Sequence, residues 1–200
     1  MRYGLDLDPA RYEEARAAAI AEVKRHPEFD HDEEIWILFT EQIIRGMGGE
    51  GPTYAAAVEM ERGWMKAAHF ALYDDALPAL EELRGRGLKL GLLSNSARDL
   101  DEFVAHHGLV VDAVLTSHAH GKTKPHGSIF WALLELLDVE PSEALMIGDT
   151  IEDDVEGALA IGMSAVLLDR DGRYPGVDGR IADLTGLTSA LGLDERLDVY

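Results

Sequence analysis

Three short stretches carry polar side chains in arrangements that suit phosphate and metal chemistry. In Leu92-Leu93-Ser94-Asn95-Ser96 an apolar run delivers two hydroxyls and an amide to the start of a helix, where side-chain donors and backbone N–H groups converge on an anion. Simple helix capping accounts for Ser and Asn at such a turn equally well. The second stretch, Thr116 to Pro125, sets Lys122 and Lys124 ahead of a proline. A lysine ammonium is a compact charge suited to phosphate or carboxylate, although most surface lysines are merely solvated. His118, His120 and His126 fall in or beside the same segment, yet no spaced carboxylate completes a metal set around them. In the third stretch, Ala144 to Asp154, an apolar strand presents Asp149 behind Gly148, and Glu152, Asp153 and Asp154 follow. Oxygen-rich groups of this kind suit Mg²⁺, which takes one or two carboxylates, waters and a substrate phosphate. Glu152, Asp153 and Glu156 could equally complement a helix N-terminus, but that does not explain Asp149 at the strand tip.

These residues need a scaffold that brings strand ends together. Short, wholly apolar runs alternate with helical segments: strand 88–93, helix 97–107, strand 113–116, helix 127–138, strand 144–147, helix 153–162 and strand 164–168, after a helix near 76–86. Such a rhythm requires a parallel sheet covered on both faces, with ligands outside the carboxyl ends of the strands. The fold class is α/β, a Rossmann-like parallel sheet core. Residues 169–180 read as a polar loop, and 181–193 could hold one more short strand and a helix.

Ahead of this core the pattern is helical. Asp8-Pro9 is an N-cap followed by a proline at the first helical position, predicting a helix over about 9–26. A strongly apolar helix through Ile35 to Ile44 ends near Gly46, and a third runs through Tyr54 to Met65 after the glycine-rich 46–52 connection. Residues 1–71 therefore read as a small all-helical unit and 72–200 as the α/β core. Trp36, Met60, Trp64 and Met65 could line a cleft between the two, but aromatics at helical spacing usually pack inward, and that is the expectation.

The chain has 18 Lys and Arg against 38 Asp and Glu, a formal net charge of −20, with 46% hydrophobic residues. Such a charge repels phosphate backbones and anionic membranes, so nucleic acid and lipid are poor partners and cations better ones. The absence of cysteine excludes disulfides, thiolate metal sites and cysteine nucleophiles. No apolar run reaches the roughly 18 residues of a membrane helix, and the start lacks a secretory pattern, so a cytoplasmic location is expected.

Taken in order, Ser94-Asn95, Lys124-Pro125 and Gly148-Asp149 with Asp154 resemble motifs two, three and four of the haloacid dehalogenase superfamily. The helical unit resembles that family's inserted cap. The resemblance implies that Ser94 and Asn95 bind phosphoryl oxygens, that Lys124 neutralises nucleophile and transferred group, and that Asp149 holds Mg²⁺ with Asp154 in support. It implies a Mg²⁺-dependent phosphatase of a small phosphorylated metabolite, working through an aspartyl-phosphate, with a homodimer plausible.

The pattern departs from the family at its first motif, a central strand ending in Asp-x-Asp whose first carboxylate attacks phosphorus. The sole candidate, Asp6-Leu7-Asp8, is preceded by Arg2 and Gly4 rather than a continuous apolar run, and it leads straight into the first helix. Residues 1–8 are therefore read as the lead-in to the helical unit, with Asp8 as its N-cap; the central position of the sheet is then open to Met1–Leu7 after all, with Asp6 and Asp8 as nucleophile and acid/base, to a rearranged sheet, or to an upstream or partner segment. Two other functions stay open: a non-catalytic binding or regulatory module on this fold, and a 2-haloacid dehalogenase. His118 and His120 could add pH-dependent charge near a phosphate site.

Overall fold

A computed structural model of the 200-residue chain describes residues 3–23 and 25–187. The first part is a bundle of three helices, α1 (Tyr12–Glu22), α2 (Glu33–Gly46) and α3 (Thr53–Trp64). Asp8 caps the first turn as expected, its carboxylate accepting from the Ala10 N–H at 3.0 Å with Pro9 at the first helical position. The helix closes at Glu22 rather than at about 26. Helices α1 and α2 touch where Gly46 meets Ala15; a Cβ on Gly46 would stand 2.6 Å from that of Ala15, so only glycine permits the approach. Ile44, Ala56 and Ala57 form the buried centre, and Tyr3, Leu5, Leu7 and Ile37 pack around it. The Asp8 N–H donates to the Met47 carbonyl at 2.9 Å. The first residues described thus pack on the bundle.

The second part contains α4 (Ala76–Gly85), β1 (Gly91–Ser94), α5 (Leu100–His107), β2 (Ala113–Thr116), α6 (Ser117–His120), α7 (Gly127–Leu137), β3 (Leu145–Gly148), α8 (Gly157–Ala160) and β4 (Ser164–Leu167). The strands are parallel, as their apolar composition requires, but they form two pairs: β1 with β2, Gly91 opposite Ala113, and β3 with β4, Leu145 opposite Ser164. Among the described residues no ladder joins β1 to β3. The halves are nonetheless one body. On one face α7 places Ile129, Phe130 and Leu134 against Leu93 and Leu115 of one pair and against Met146 and Ala165 of the other. On the other face Leu83, Leu90 and Leu187 are buried together with Val111 and Ile147.

Several boundaries shift for identifiable reasons. Strand β1 starts at Gly91 and not at 88, because Leu88 is exposed and the Leu90 N–H is taken by the Asp112 carboxylate at 2.7 Å. Helix α5 begins at Leu100, where Asp99 accepts from the Glu102 N–H. The helix expected over 153–162 opens as a π-helical turn, Ile151–Glu156, before α8. That wider turn carries both Asp153 and Asp154 into buried positions. Beyond β4, Ile181 makes a single parallel bridge to Leu168 in place of a strand, and the remainder of the expected helix, from 188, lies outside the described residues. No described helix is long and apolar enough to cross a membrane.

Candidate active site

The carboxyl ends of β1 and β3 meet through side chains. Asn95, just past β1, exchanges two hydrogen bonds with the backbone of Lys124: its amide donates to the Lys124 carbonyl at 3.0 Å, and its oxygen accepts from the Lys124 N–H at 2.7 Å. The Lys124 ammonium donates in turn to Asp154, forming an ion pair whose side chains are only 10% and 4% exposed. The second oxygen of Asp154 accepts from the Thr150 N–H at 3.0 Å. Gly148 makes this possible, since a Cβ there would lie 2.3 Å from the Asp154 carboxyl group. The spacing of Gly148, Asp149 and Asp154 in the sequence thus has a steric reason. Ser94 shares a hydrogen bond with Ser96 at 2.9 Å and is half-buried at the end of β1.

One contributor has no signal in the sequence. Arg25, between α1 and α2, forms a two-pronged ion pair with the buried Asp153. Its guanidinium is held above its ordinary pKa chiefly by the hydrogen bond to Asp153, against the opposing effect of burial. Asn95 also donates to Asp153, at 3.3 Å. Two cation–carboxylate pairs therefore sit side by side, one reaching from the helical part and one within the core.

Between the two parts lies a cavity of about 720 Å³, within the size range of small-molecule sites. Arg25, Trp36 and Phe39 line it from the helical side, and Asn95, Lys124 and Asp149 from the core. Trp36 faces the cavity, contrary to the expectation of inward packing; Met60 and Trp64 are exposed and lie outside the lining. Asp149 stands at the tip of β3 with its side chain 63% exposed, bonded to Arg173 at 3.1 Å. Asp6 and Asp8 do not line the cavity. They lie beside the end of α2, where the Asp6 carbonyl comes close to Gly48 and Asp8 bonds Met47.

Both oxygens of Asp153 and Asp154 are engaged by donors, while Asp149, on the cavity wall and held by Arg173 at its rim, is the most exposed of the three carboxylates and a hard oxygen donor. That chemistry fits a Mg²⁺ ion bound through one carboxylate and waters, with Asp154 fixing the turn behind it. The three histidines of the lysine segment do not assemble. His120 and His126 both bond the Ser128 hydroxyl, at 2.7 and 2.8 Å, whereas His118 turns to Glu33 at 3.2 Å and lies edge-on to His31. Burial pushes the pKa of His31 and of His120 down.

Residues 6–162 match the family described as "Hydrolase: haloacid dehalogenase-like hydrolase". Phosphatase MT3486 of Mycobacterium tuberculosis is 45% identical over 124 residues, covering 60% of this chain and 55% of that protein. The ribulose-1,5-bisphosphate 5-phosphatase of Halopiger xanaduensis is 32% identical over 170 residues, 83% of this chain and 71% of that protein. Among solved structures, a HAD phosphatase from Thermococcus onnurineus superimposes with a TM-score of 0.62 at 30% identity, covering 90% of this chain and 80% of that one. The match to the mycobacterial phosphatase therefore takes in little more than half of that relative's length.

Proposed function

This chain belongs to the haloacid dehalogenase-like hydrolase family, and from that premise we propose that it hydrolyses a phosphate monoester of a small metabolite in a Mg²⁺-dependent reaction. The observation that carries the proposal is the meeting of Asn95, Lys124 and the β3 tip carboxylate Asp149 on one cavity wall. The names of the relatives agree with it: the Halopiger xanaduensis protein is described as a ribulose-1,5-bisphosphate 5-phosphatase.

In this reading the Ser94 hydroxyl, now shared with Ser96 just outside the cavity lining, turns to the phosphoryl oxygens, while Asn95, its amide protons given to Lys124 and Asp153, holds Lys124 in place. Lys124, steered by Asp154, offsets the negative charge that builds as the ester oxygen departs. Asp149 is the protein ligand of the metal, which when bound neutralises phosphate charge and orients the ester. Arg25, fixed by Asp153, closes the cavity from the helical side with Trp36 and Phe39 and selects the leaving group. In the aspartyl-phosphate route a carboxylate attacks phosphorus as the ester P–O bond breaks and the alcohol leaves, and water then releases inorganic phosphate and restores the carboxylate. Asp6 is not assigned that attack, because its carbonyl lies beside Gly48, the neighbouring Asp8 bonds Met47, and neither lines the cavity.

Hydrolysis of p-nitrophenyl phosphate with Mg²⁺ or with EDTA tests the reading. Metal-dependent turnover, lost by at least about 100-fold in Asp149→Asn, is the expected result, and Asp6→Asn decides whether this chain's own first residues supply the attacking carboxylate. Loss of turnover in Asp6→Asn would make the first residues catalytic. The position of Asp6 favours one second reading, a binding module that holds a phosphorylated ligand without turning it over. A folded chain that binds inorganic phosphate yet releases none from the ester would establish it, and chloride release from 2-chloropropionate would identify a dehalogenase.

A further inference from the structure

We propose that His31, Glu33 and His118 form a second metal site, for a Zn²⁺-like transition cation, clasping the helical part to the core outside the cavity. One ligating atom from each of the three lies within 4.8 Å of the others, the one such triple among the described residues. A tetrahedral zinc with bonds of about 2.0–2.1 Å needs its donors roughly 3.3 Å apart. Glu33 and His118 already meet at 3.2 Å, so small side-chain rotations complete the set.

The second observation is an orphaned atom. Nε2 of His31 is buried with no hydrogen-bond partner in a structure where such atoms are rare. Its other nitrogen, Nδ1, lies 2.8 Å from the Ser117 hydroxyl, which itself donates to the Ser96 carbonyl at 3.4 Å. A hydroxyl has one proton to give. In the tautomer with Nδ1 protonated, Ser117 gives that proton to the Ser96 carbonyl and accepts from Nδ1–H, and Nε2 keeps a free electron pair. This is how proteins prepare a metal-binding histidine: the far N–H is anchored so that the near nitrogen is unprotonated and aimed.

The donor set decides the metal. Two imidazoles and one carboxylate suit zinc, cobalt or nickel, whereas Mg²⁺ takes oxygen ligands. The cluster is thus chemically separate from Asp149, and neither His31, Glu33 nor His118 lines the cavity. A fourth position is left for water.

Its location gives it a task. His31 and Glu33 come from the start of α2, and His118 from α6 at the end of β2. The two segments already run antiparallel beside each other: Asp30 bridges Lys122, the Thr123 N–H donates to Phe29, and the His31 N–H donates to Gly121. A cation at the end of this strap fastens the helical wall of the cavity to its core wall.

The test is a calorimetric titration of the EDTA-stripped, dialysed chain with Zn²⁺ in excess Mg²⁺, with Co²⁺ visible absorption as a report on nitrogen ligation. One Zn²⁺ per chain is expected, with affinity at least about tenfold weaker in His118→Ala, Glu33→Gln and His31→Ala, and about tenfold weaker in Ser117→Ala through the lost anchor. Asp149→Asn and His120→Ala should bind as the wild type does. His118 and Glu33 are exposed, so their variants fold, as circular dichroism would confirm. Zinc binding indifferent to these three substitutions, or none at all in a folded chain, overturns the site. Neither outcome depends on phosphatase activity, so its failure and that of the phosphatase reading are separately visible.

Discussion

The core and the helical bundle treat buried carboxylates differently. In the core each one faces a cation: Asp154 has Lys124, Asp153 has Arg25, and Asp169, whose side chain is fully buried, has Arg180 at 3.1 Å. Asp169 also accepts from the Arg173 and Tyr174 N–H groups, which turns Arg173 toward Asp149. In the bundle Glu41 pairs with Arg45 on the same helix, but Glu61, half-buried between helices, has the neutral Thr40 hydroxyl at 2.7 Å. The bundle buries alanines and one isoleucine between its helices, with two buried hydroxyls, Thr40 and Thr53, bonding carboxylates across α2 and α3, so its cohesion is mainly apolar. Among the described residues no ladder joins the two half-sheets of the core, and the Lys124–Asp154 ion pair crosses the joint instead. Charge is concentrated where backbone pairing is interrupted, and the cavity opens at the same place.

The largest effect should come from the joint itself. Lys124→Met leaves Asp154 buried with its charge uncompensated, a change that costs about 3–5 kcal/mol where both partners are desolvated. Adding Asp154→Asn should restore most of that stability, since a neutral amide can still accept from Thr150, while activity stays lost in both. Urea midpoints for the two single variants and the double variant measure this; a loss under about 1 kcal/mol in Lys124→Met would mean that the halves are held by their shared apolar faces alone. Asn95→Ala removes the reciprocal bonds to the Lys124 backbone and leaves an N–H and a carbonyl to find other partners, so about 1–3 kcal/mol should be lost. The same measurement applies.

The order of these elements was readable because each half-sheet is local: strand, helix and strand follow in sequence, and apolar strands have one stable use. The site was readable for a related reason. Strand tips are where carboxylates and amides are functional, and Gly148 beside Asp149 leaves a trace in the text because no other residue fits against Asp154. Arg25 was not legible, since it lies between helices and owes its position to a partner 128 residues away. Glu33 was missed as the carboxylate for His118 for the same reason: spacing along the chain says nothing about a contact made by folding the bundle onto the core. The division of the sheet could be anticipated only from the poor strand character of residues 1–8, and helix α2 gave no sequence sign that Trp36 would turn to a cavity rather than inward.

The smallest effect should appear in the bundle and with the opposite sign. Burial raises the pKa of Glu61, and the bond from Thr40, which favours the charged form, only partly offsets it. A carboxylic acid whose folded pKa lies above its unfolded value, near 4.3, is protonated more readily in the native state. Its contribution is then favourable at low pH and declines as pH rises through that window, remaining lower at neutrality. Glu61→Gln keeps an acceptor for Thr40 and has no charge to desolvate. It should therefore be more stable than the wild type at pH 7, by a few tenths of a kcal/mol to about 1 kcal/mol given the group's partial exposure, and indistinguishable from it below about pH 4. Thermal unfolding of both proteins across that range decides it. A gain that persists at low pH would come from packing rather than charge, whereas a loss at pH 7 would mean that Glu61, like the core carboxylates, is held by a cation.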